Sequence, residues 1–425
     1  MTKRLVILGG GTGGTLAANR LRRALDDDVA VTVVDRDDDH VYQPGLLFVP
    51  FGLASAADLV RSRPRQLHAG IGYHRAGVRR VDVEHRRVHL DDDMVLPYDV
   101  LVIATGARLL PEETDGLADA PGRRRTVHTF YDYDGAVALA DALAWFDGGR
   151  LVVGVVDLPI KCPVAPLEFC FLADWYFRQR GIRDDVTLTY VTPLDGAFTQ
   201  PVAAHALAGL LAEKGIELVT EFNTGTVEST DASGRLVSFD GREVGFDLAV
   251  VVPLHGGAAY VDASAGLGDE LGFVPTDPHT LQSTVRPDIF VIGDAAAIPV
   301  SKAGSVTHFE GEVLTRNVVR YLAGQEPDAG FDGHANCFIE SGFHKALLID
   351  FNYDTEPLPG RFPSGIGLPL LRESRLNHLG KLMFAWLYWH VLLPGREIPG
   401  IAGAMPHAGK RVPRDADHRS STTTR

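Results

Sequence analysis

Short apolar runs, each closed by a glycine-, proline- or acid-rich turn, alternate with longer helical stretches over most of the chain. Near-continuous apolar strands of this kind are buried on both faces, as in parallel sheets built from βαβ units. Leu5-Val6-Ile7-Leu8 is the first such run. A glycine cluster, Gly9 to Gly14, and a helical stretch from Thr15 to Leu25 follow it, and then a second strand from Val29 to Val34. Further strands are predicted at 98–103, 151–156, 186–191, 218–222 and 286–292, with helices near 135–145, 168–180, 202–214 and 306–322. From Ala335 to Tyr353 the pattern alternates and predicts paired strands. The last apolar stretch, 379–394, falls short of the ~20 residues a bilayer span requires. With its tryptophans and tyrosine it predicts an amphipathic helix lying in one leaflet, helped by 368–371 and 398–405. A buried or dimer-forming helix is the plainer alternative.

The glycine cluster has a specific spacing. Gly9, Gly11 and Gly14 give G-x-G-x-x-G between strand and helix. The first glycine permits the turn, the second lets a pyrophosphate approach the backbone, and the third lets the helix pack on the strand. Asp35, at the end of the second strand, is placed to hydrogen-bond a ribose. The second α/β unit has no such loop. Its first strand, Leu151 to Val156, runs into Asp157-Leu158-Pro159-Ile160-Lys161-Cys162-Pro163, where the prolines remove donors a phosphate would need. One dinucleotide is therefore expected, with NAD(P)H disfavoured and a thiol in its place.

The chain has 425 residues and a net charge of −14, with acidic clusters at 26–28, 35–39 and 91–93. These read as solvated loops, and without a basic face nucleic acid is not an expected partner. Three cysteines, Cys162, Cys170 and Cys337, exclude a disulfide-stapled scaffold. The first residues lead directly into a strand, so no secretory leader is expected, and a disulfide formed in a reducing cytosol would be catalytic rather than structural. No metal site is expected.

Tyr98 to Ile103 ends in Ala104-Thr105-Gly106, and Arg286 to Ile292 ends in Gly293-Asp294. These segments resemble the two-dinucleotide-domain flavoproteins of the glutathione-reductase-like class. The resemblance implies FAD, with Thr105 and Gly106 closing its domain and Asp294 bonding the ribityl chain. It also places Val78 near the adenine. The alternatives are a helix N-cap for Asp294 and plain core for Val78. The expected fold is α/β, with two Rossmann-like domains plus a C-terminal membrane-contacting region. Its parts are an FAD-binding segment at 1–110, a second domain without a glycine loop at 111–264, and a second FAD segment at 265–325. An interface and membrane-association region at 326–405 and a disordered tail at 406–425 complete it. A helix beginning near Val306 would aim its positive end at the flavin.

Cys162-Pro163-Val164-Ala165-Pro166-Leu167-Glu168-Phe169 resembles the cysteine segment of the sulfide:quinone oxidoreductases, as do 266–277, 293–299 and Cys337-Phe338. The likeness runs from Leu5 to about Pro394. It is shared in part with flavocytochrome c sulfide dehydrogenases and type II NADH dehydrogenases. It implies a redox pair of Cys162 and Cys337 at the flavin, sulfide and a membrane quinone as substrates, and Lys381 beside the quinone carbonyl. Phe338 is suited to stack on a quinone ring. Glu168 is expected either to shuttle protons near Cys162 or merely to favour the helix dipole, and Cys170 is expected in the core. Two departures stand out. No third cysteine occurs around Thr126 to Thr129, and no histidine occurs within 193–198. The implied localisation is peripheral to a membrane, with room for a homo-oligomer. The rival readings are a flavocytochrome c-type flavin subunit, a type II NADH:quinone reductase and a redox sensor that is not an enzyme.

Overall fold

In the computed structural model, which describes residues 2–119, 122–362, 367–396 and 403–411, side chains leave the first strand, Lys3–Leu8, toward two different cores. Leu5 and Ile7 enter one core with Val31, Val33, Val100 and Val102, while Val6 and Leu8 enter another with Val34, Leu101 and Ile103. Period-two alternation with both faces covered is why these strands read as uninterrupted apolar runs. Five parallel strands form the sheet in the order Ile289–Val291, Val100–Ile103, Lys3–Leu8, Val29–Asp35, Ile71–Arg75. The late strand Ile289–Val291 thus docks beside Val100–Ile103, and Gly293-Asp294 arrives at the same sheet end as the glycine loop.

The second sheet repeats the plan with strands Val127–His128, Leu248–Val252, Gly149–Val155, Val186–Val191 and Ile216–Val219, again all parallel. Leu248–Val252, an apolar strand not among those predicted, pairs along the whole apolar half of Gly149–Val155. Helices Tyr133–Trp145, Ala165–Arg180 and Pro201–Glu213 lie within a few residues of the predicted ones.

The antiparallel hairpin Ala335–Gly342 and Lys345–Phe351 carries Cys337 opposite Ile349. It packs against both the Ala165–Arg180 helix and the C-terminal helix Arg375–Leu387, so three distant parts of the chain meet around it. Among the described residues no helix is long and apolar enough to cross a membrane.

Candidate active site

The glycine loop shows what each glycine is for. Gly9 has φ +91°, and a Cβ there would lie 2.5 Å from the Ala104 carbonyl oxygen. A Cβ on Gly14 would sit 1.8 Å from the Gly9 oxygen, so this glycine lets helix Thr12–Ala24 press on the loop. Gly11 differs: no protein atom lies within 4 Å of its would-be Cβ. Space left open at the N-terminus of a helix, in front of free backbone donors, fits a pyrophosphate. Asp35 ends its strand with Oδ2 accepting from the Gly10 N–H at 2.6 Å and from Arg63, while Oδ1 accepts from the Arg36 N–H at 2.7 Å. A ribose there must share Asp35 with Arg63. Val78 begins strand Val78–Asp82, half-buried against the second core. Thr105 bonds Tyr260 at 3.2 Å, and Gly106 adopts φ +69°.

Gly293 takes φ +71°, and its N–H donates to Glu310 Oε2 at 2.7 Å. Asp294 follows in a short 3-10 turn capped by Ile292 without a side-chain bond, so the N-cap alternative fails. Burial raises its carboxyl, against the pull of Lys302 and Lys161. Asp294, Lys302, Thr307 and Glu310 cluster around a narrow crevice at the start of helix Gly304–Leu322. An acid without a side-chain hydrogen bond near a helix N-terminus, together with the open space before Gly11, fits FAD.

Cys162 sits just ahead of helix Ala165–Arg180 with φ +46°, a left-handed conformation uncommon for a side-chain-bearing residue. Its N–H donates to Lys302 O at 2.7 Å, and its carbonyl accepts from the Ala165 N–H at 2.9 Å and from the Tyr131 hydroxyl at 3.2 Å. These bonds consume donors that a nicotinamide dinucleotide's phosphates would use in a loop of the first type. Burial, then the Glu168 charge, pushes the Cys162 thiol up to about 12, with Lys381 pulling the other way. Burial, then Cys162, raises Cys337 as well. Both are free thiols in this structure, and Cys170 is core, 1% exposed.

Glu168 joins the distant pieces. It is 1% exposed, and its Oε1 accepts from Lys381 Nζ at 2.7 Å and from the Glu340 N–H at 2.7 Å. Glu340 lies three residues beyond Cys337, so the helix that follows Cys162 is bonded to the strand that holds Cys337. Lys381 also donates to Phe338 O at 2.9 Å and lies 5.8 Å from the Phe48 ring centroid. Burial raises Glu168, opposed first by the Lys381 charge, while Lys381, which burial would lower, is held up by Glu168. The Phe338 ring packs where a Gly380 side chain would stand.

The C-terminal helix differs from the expected leaflet-lying helix in which of its aromatic residues face outward. It starts at Arg375, capped by Ser374 accepting from the Asn377 N–H, and ends in a π turn, Tyr388–Leu392. Leu376, Leu379, Leu382, Met383 and Trp386 are exposed, from 47 to 60%. Tyr388 and Trp389, expected at a headgroup level, are buried instead, because the Tyr388 hydroxyl bonds Thr12 and His40 at 2.7 Å and Arg61 stacks on Trp389. Leu370, expected to aid leaflet insertion, is buried with Leu348 and Phe362. The expected tail is docked at its start: Lys410 pairs with Asp350 at 2.6 Å, both nearly inaccessible. Residues 397–402 and 412–425 lie outside the described residues, including Ile398, Arg414, Arg419 and Arg425.

The structure adds residues that sequence reasoning missed. For Tyr131, His255, Glu310, Glu340 and His378 no motif or local spacing in the sequence marks a role. His255 is 3% exposed, edge-on to Tyr131 at 5.5 Å, and lowered to about 3 by burial and by Lys161.

Residues 3–154 match the pyridine nucleotide-disulphide oxidoreductase family. The chain is similar to the mitochondrial sulfide:quinone oxidoreductase of Mus musculus, 26% identical over 396 residues, covering 92% of this chain and 86% of the relative. It is also similar to a type II NADH:quinone oxidoreductase of Mycobacterium tuberculosis, 26% identical and covering 92% and 82%. Its fold matches the solved sulfide:quinone oxidoreductase of Aquifex aeolicus with a TM-score of 0.78, 21% identity and coverage of 94% and 93%. The chain is an FAD-dependent oxidoreductase with a pyridine nucleotide-disulphide oxidoreductase domain at its N-terminus. Within that class, the proteins it is similar to include mitochondrial sulfide:quinone oxidoreductases.

Proposed function

We propose that this protein oxidises sulfide and reduces a quinone, using Cys162 and Cys337 as the sulfur-accepting pair. The observation that carries this reading is Glu168, which ties the segment after Cys162 to the strand holding Cys337 and to Lys381 in one buried cluster. In the cycle, hydrosulfide attacks a Cys162–Cys337 disulfide, leaving a persulfide on one cysteine and a thiolate on the other. Joining the two through the added sulfur releases one proton and two electrons, and stores the sulfur in the zero-valent state. When bound, FAD would supply the two-electron carrier between the sulfur and the quinone. A quinone then takes two electrons and two protons to become a quinol. Glu168 accepts the proton released at sulfur, because burial leaves its carboxyl readier to hold one than an ordinary glutamate. Lys381 presents its ammonium beside Phe338, where a quinone carbonyl oxygen would gain negative charge.

Nicotinamide is the weaker electron donor for this site, since Cys162 and its prolines occupy the turn where a second glycine loop would cradle phosphates. The exposed stripe from Leu376 to Trp386 fits peripheral contact with the bilayer in which quinones dissolve. Anaerobic protein mixed with sulfide or with NADH, and followed by flavin absorbance before a short-chain quinone is added, tests the reading. Sulfide should bleach the flavin and quinone restore it. Bleaching by NADH alone would sink the proposal. Cys337→Ser should abolish sulfide-dependent quinone reduction, and unchanged turnover would remove the cysteine pair from the mechanism.

A further inference from the structure

We infer that Glu340 and His378 relay protons from solvent at the Gly342–Lys345 turn to the Glu168–Lys381 pair, supplying those consumed when the quinone is reduced. The inference rests on quinone being the electron acceptor. His378 Nδ1 lies 3.0 and 2.9 Å from the two carboxylate oxygens of Glu340. The exposures step outward: the Glu340 side chain is 4% exposed and that of His378 17%. The ring of exposed His344 stands edge-on to His378 at 5.5 Å. At the inner end, the Glu340 N–H bonds Glu168 Oε1, the oxygen that also holds Lys381. His378 and Lys381 are three residues apart on one helix and share its inward face.

The turn that presents His344 is built at a cost. Phe343 and His344 both have positive φ, +53° and +58°, without glycine or asparagine at either position. Strain of this kind tends to persist where the surrounding structure has a use for it. Burial raises the Glu340 carboxyl, against the His378 hydrogen bond, so it can hold a proton in transit. The other charges facing the path are Glu168 from the Ala165–Arg180 helix and Lys381 from the C-terminal helix. Lys345, paired with Glu373 at 3.6 Å, and Lys214, 5.1 Å from the Phe343 ring, complete them. A proton given up by the Lys381 ammonium to the quinone oxygen is replaced from Glu340, whose carboxyl feels the charges of both Lys381 and Glu168. Glu340 is refilled from His378, and His378 from solvent, so the net transfer is from water to quinol.

The plain alternative is a staple that holds the hairpin on the helix, and the test separates the two. Glu340→Gln and His378→Asn each keep a side chain able to make the inter-element hydrogen bond but unable to shuttle protons. Protein reduced with dithionite is mixed with a short-chain quinone across pH, in H2O and D2O, so that sulfide chemistry plays no part. We expect reoxidation at least tenfold slower above neutral pH, a larger solvent isotope effect, and recovery of His378→Asn with added imidazole. A carboxyl band in the infrared difference spectrum that is lost in Glu340→Gln would report the proton on Glu340 itself. Wild-type rates in both variants, or a slowing equal at every pH without imidazole recovery, would overturn the relay. Failure of the dithionite-reduced wild type to react with quinone at all would instead overturn the quinone assignment beneath it.

Discussion

Gly11→Ala separates cofactor binding from folding more cleanly than any other change in the glycine loop. Gly11 is the N-cap of helix Thr12–Ala24 with φ −70° and ψ −160°, a conformation open to alanine. Its Cβ would meet no protein atom within 4 Å. Losing glycine's freedom in the unfolded chain stabilises by about 0.4–1 kcal/mol. Alanine's poorer capping costs roughly 0.5 kcal/mol or more. FAD-free protein should therefore melt within a few degrees of the wild type. The methyl group projects into the space assigned to the pyrophosphate. Forcing one carbon into a close-packed contact costs about 1–3 kcal/mol, which is about 5- to 150-fold in Kd. Titrating FAD-free protein with FAD by flavin fluorescence, beside a thermal melt, measures both quantities. Gly14→Ala is the contrast, because its Cβ would stand 1.8 Å from the Gly9 oxygen and must displace the helix itself. Wild-type FAD affinity in Gly11→Ala, or a loss of FAD-free stability as large as that of Gly14→Ala, would refute the assignment of this space to the cofactor.

Two further outcomes follow from the same structure. Burial pushes Glu310 up from 4.5 to about 7 against the bond from Gly293, so the folded state binds its proton more tightly than the unfolded chain. Its stabilising contribution is full below pH 4.5 and fades as pH rises through about 7, a swing of about 3 kcal/mol. Glu310→Gln should therefore raise the melting temperature of FAD-free protein more at pH 8 than at pH 5, and a pH-independent difference would contradict this origin. Replacing exposed Leu379 and Met383 together with glutamate should reduce co-sedimentation with phospholipid vesicles at least tenfold, since each apolar side chain contributes on the order of 1 kcal/mol or more when buried in lipid. Turnover with a water-soluble quinone should persist, and undiminished vesicle binding would assign the stripe another role.

Much of the scaffold was legible in the sequence because it obeys local rules. Burial on both faces makes 5–8 and 151–155 apolar throughout, and that composition alone announces parallel strands. The spacing of Gly9, Gly11 and Gly14 is local too, although Gly9 answers to distant Ala104 while Gly14 answers to Gly9 and Gly11 to the open space before it. The 379–394 stretch shows where local reading stops. It predicts a helix with aromatic anchors, but the fold turns Trp386 outward and draws Tyr388 onto Thr12, 376 residues away, and onto His40.

The sequence by itself determined the two α/β units, the single glycine loop and the position of Cys162 ahead of a helix that carries Glu168. Periodicity near 2 or 3.6 residues and the steric demands of turns act over a few residues and leave their mark there. Only the tertiary structure decided what Glu168 is for. Its partners, Glu340 and Lys381, lie 172 and 213 residues away and are chosen by how a hairpin and a helix pack over it. A buried carboxylate must find donors or lose its charge, and those donors can come from anywhere in the chain. For that reason the chemistry gathered around Cys162 becomes readable only once the chain is folded.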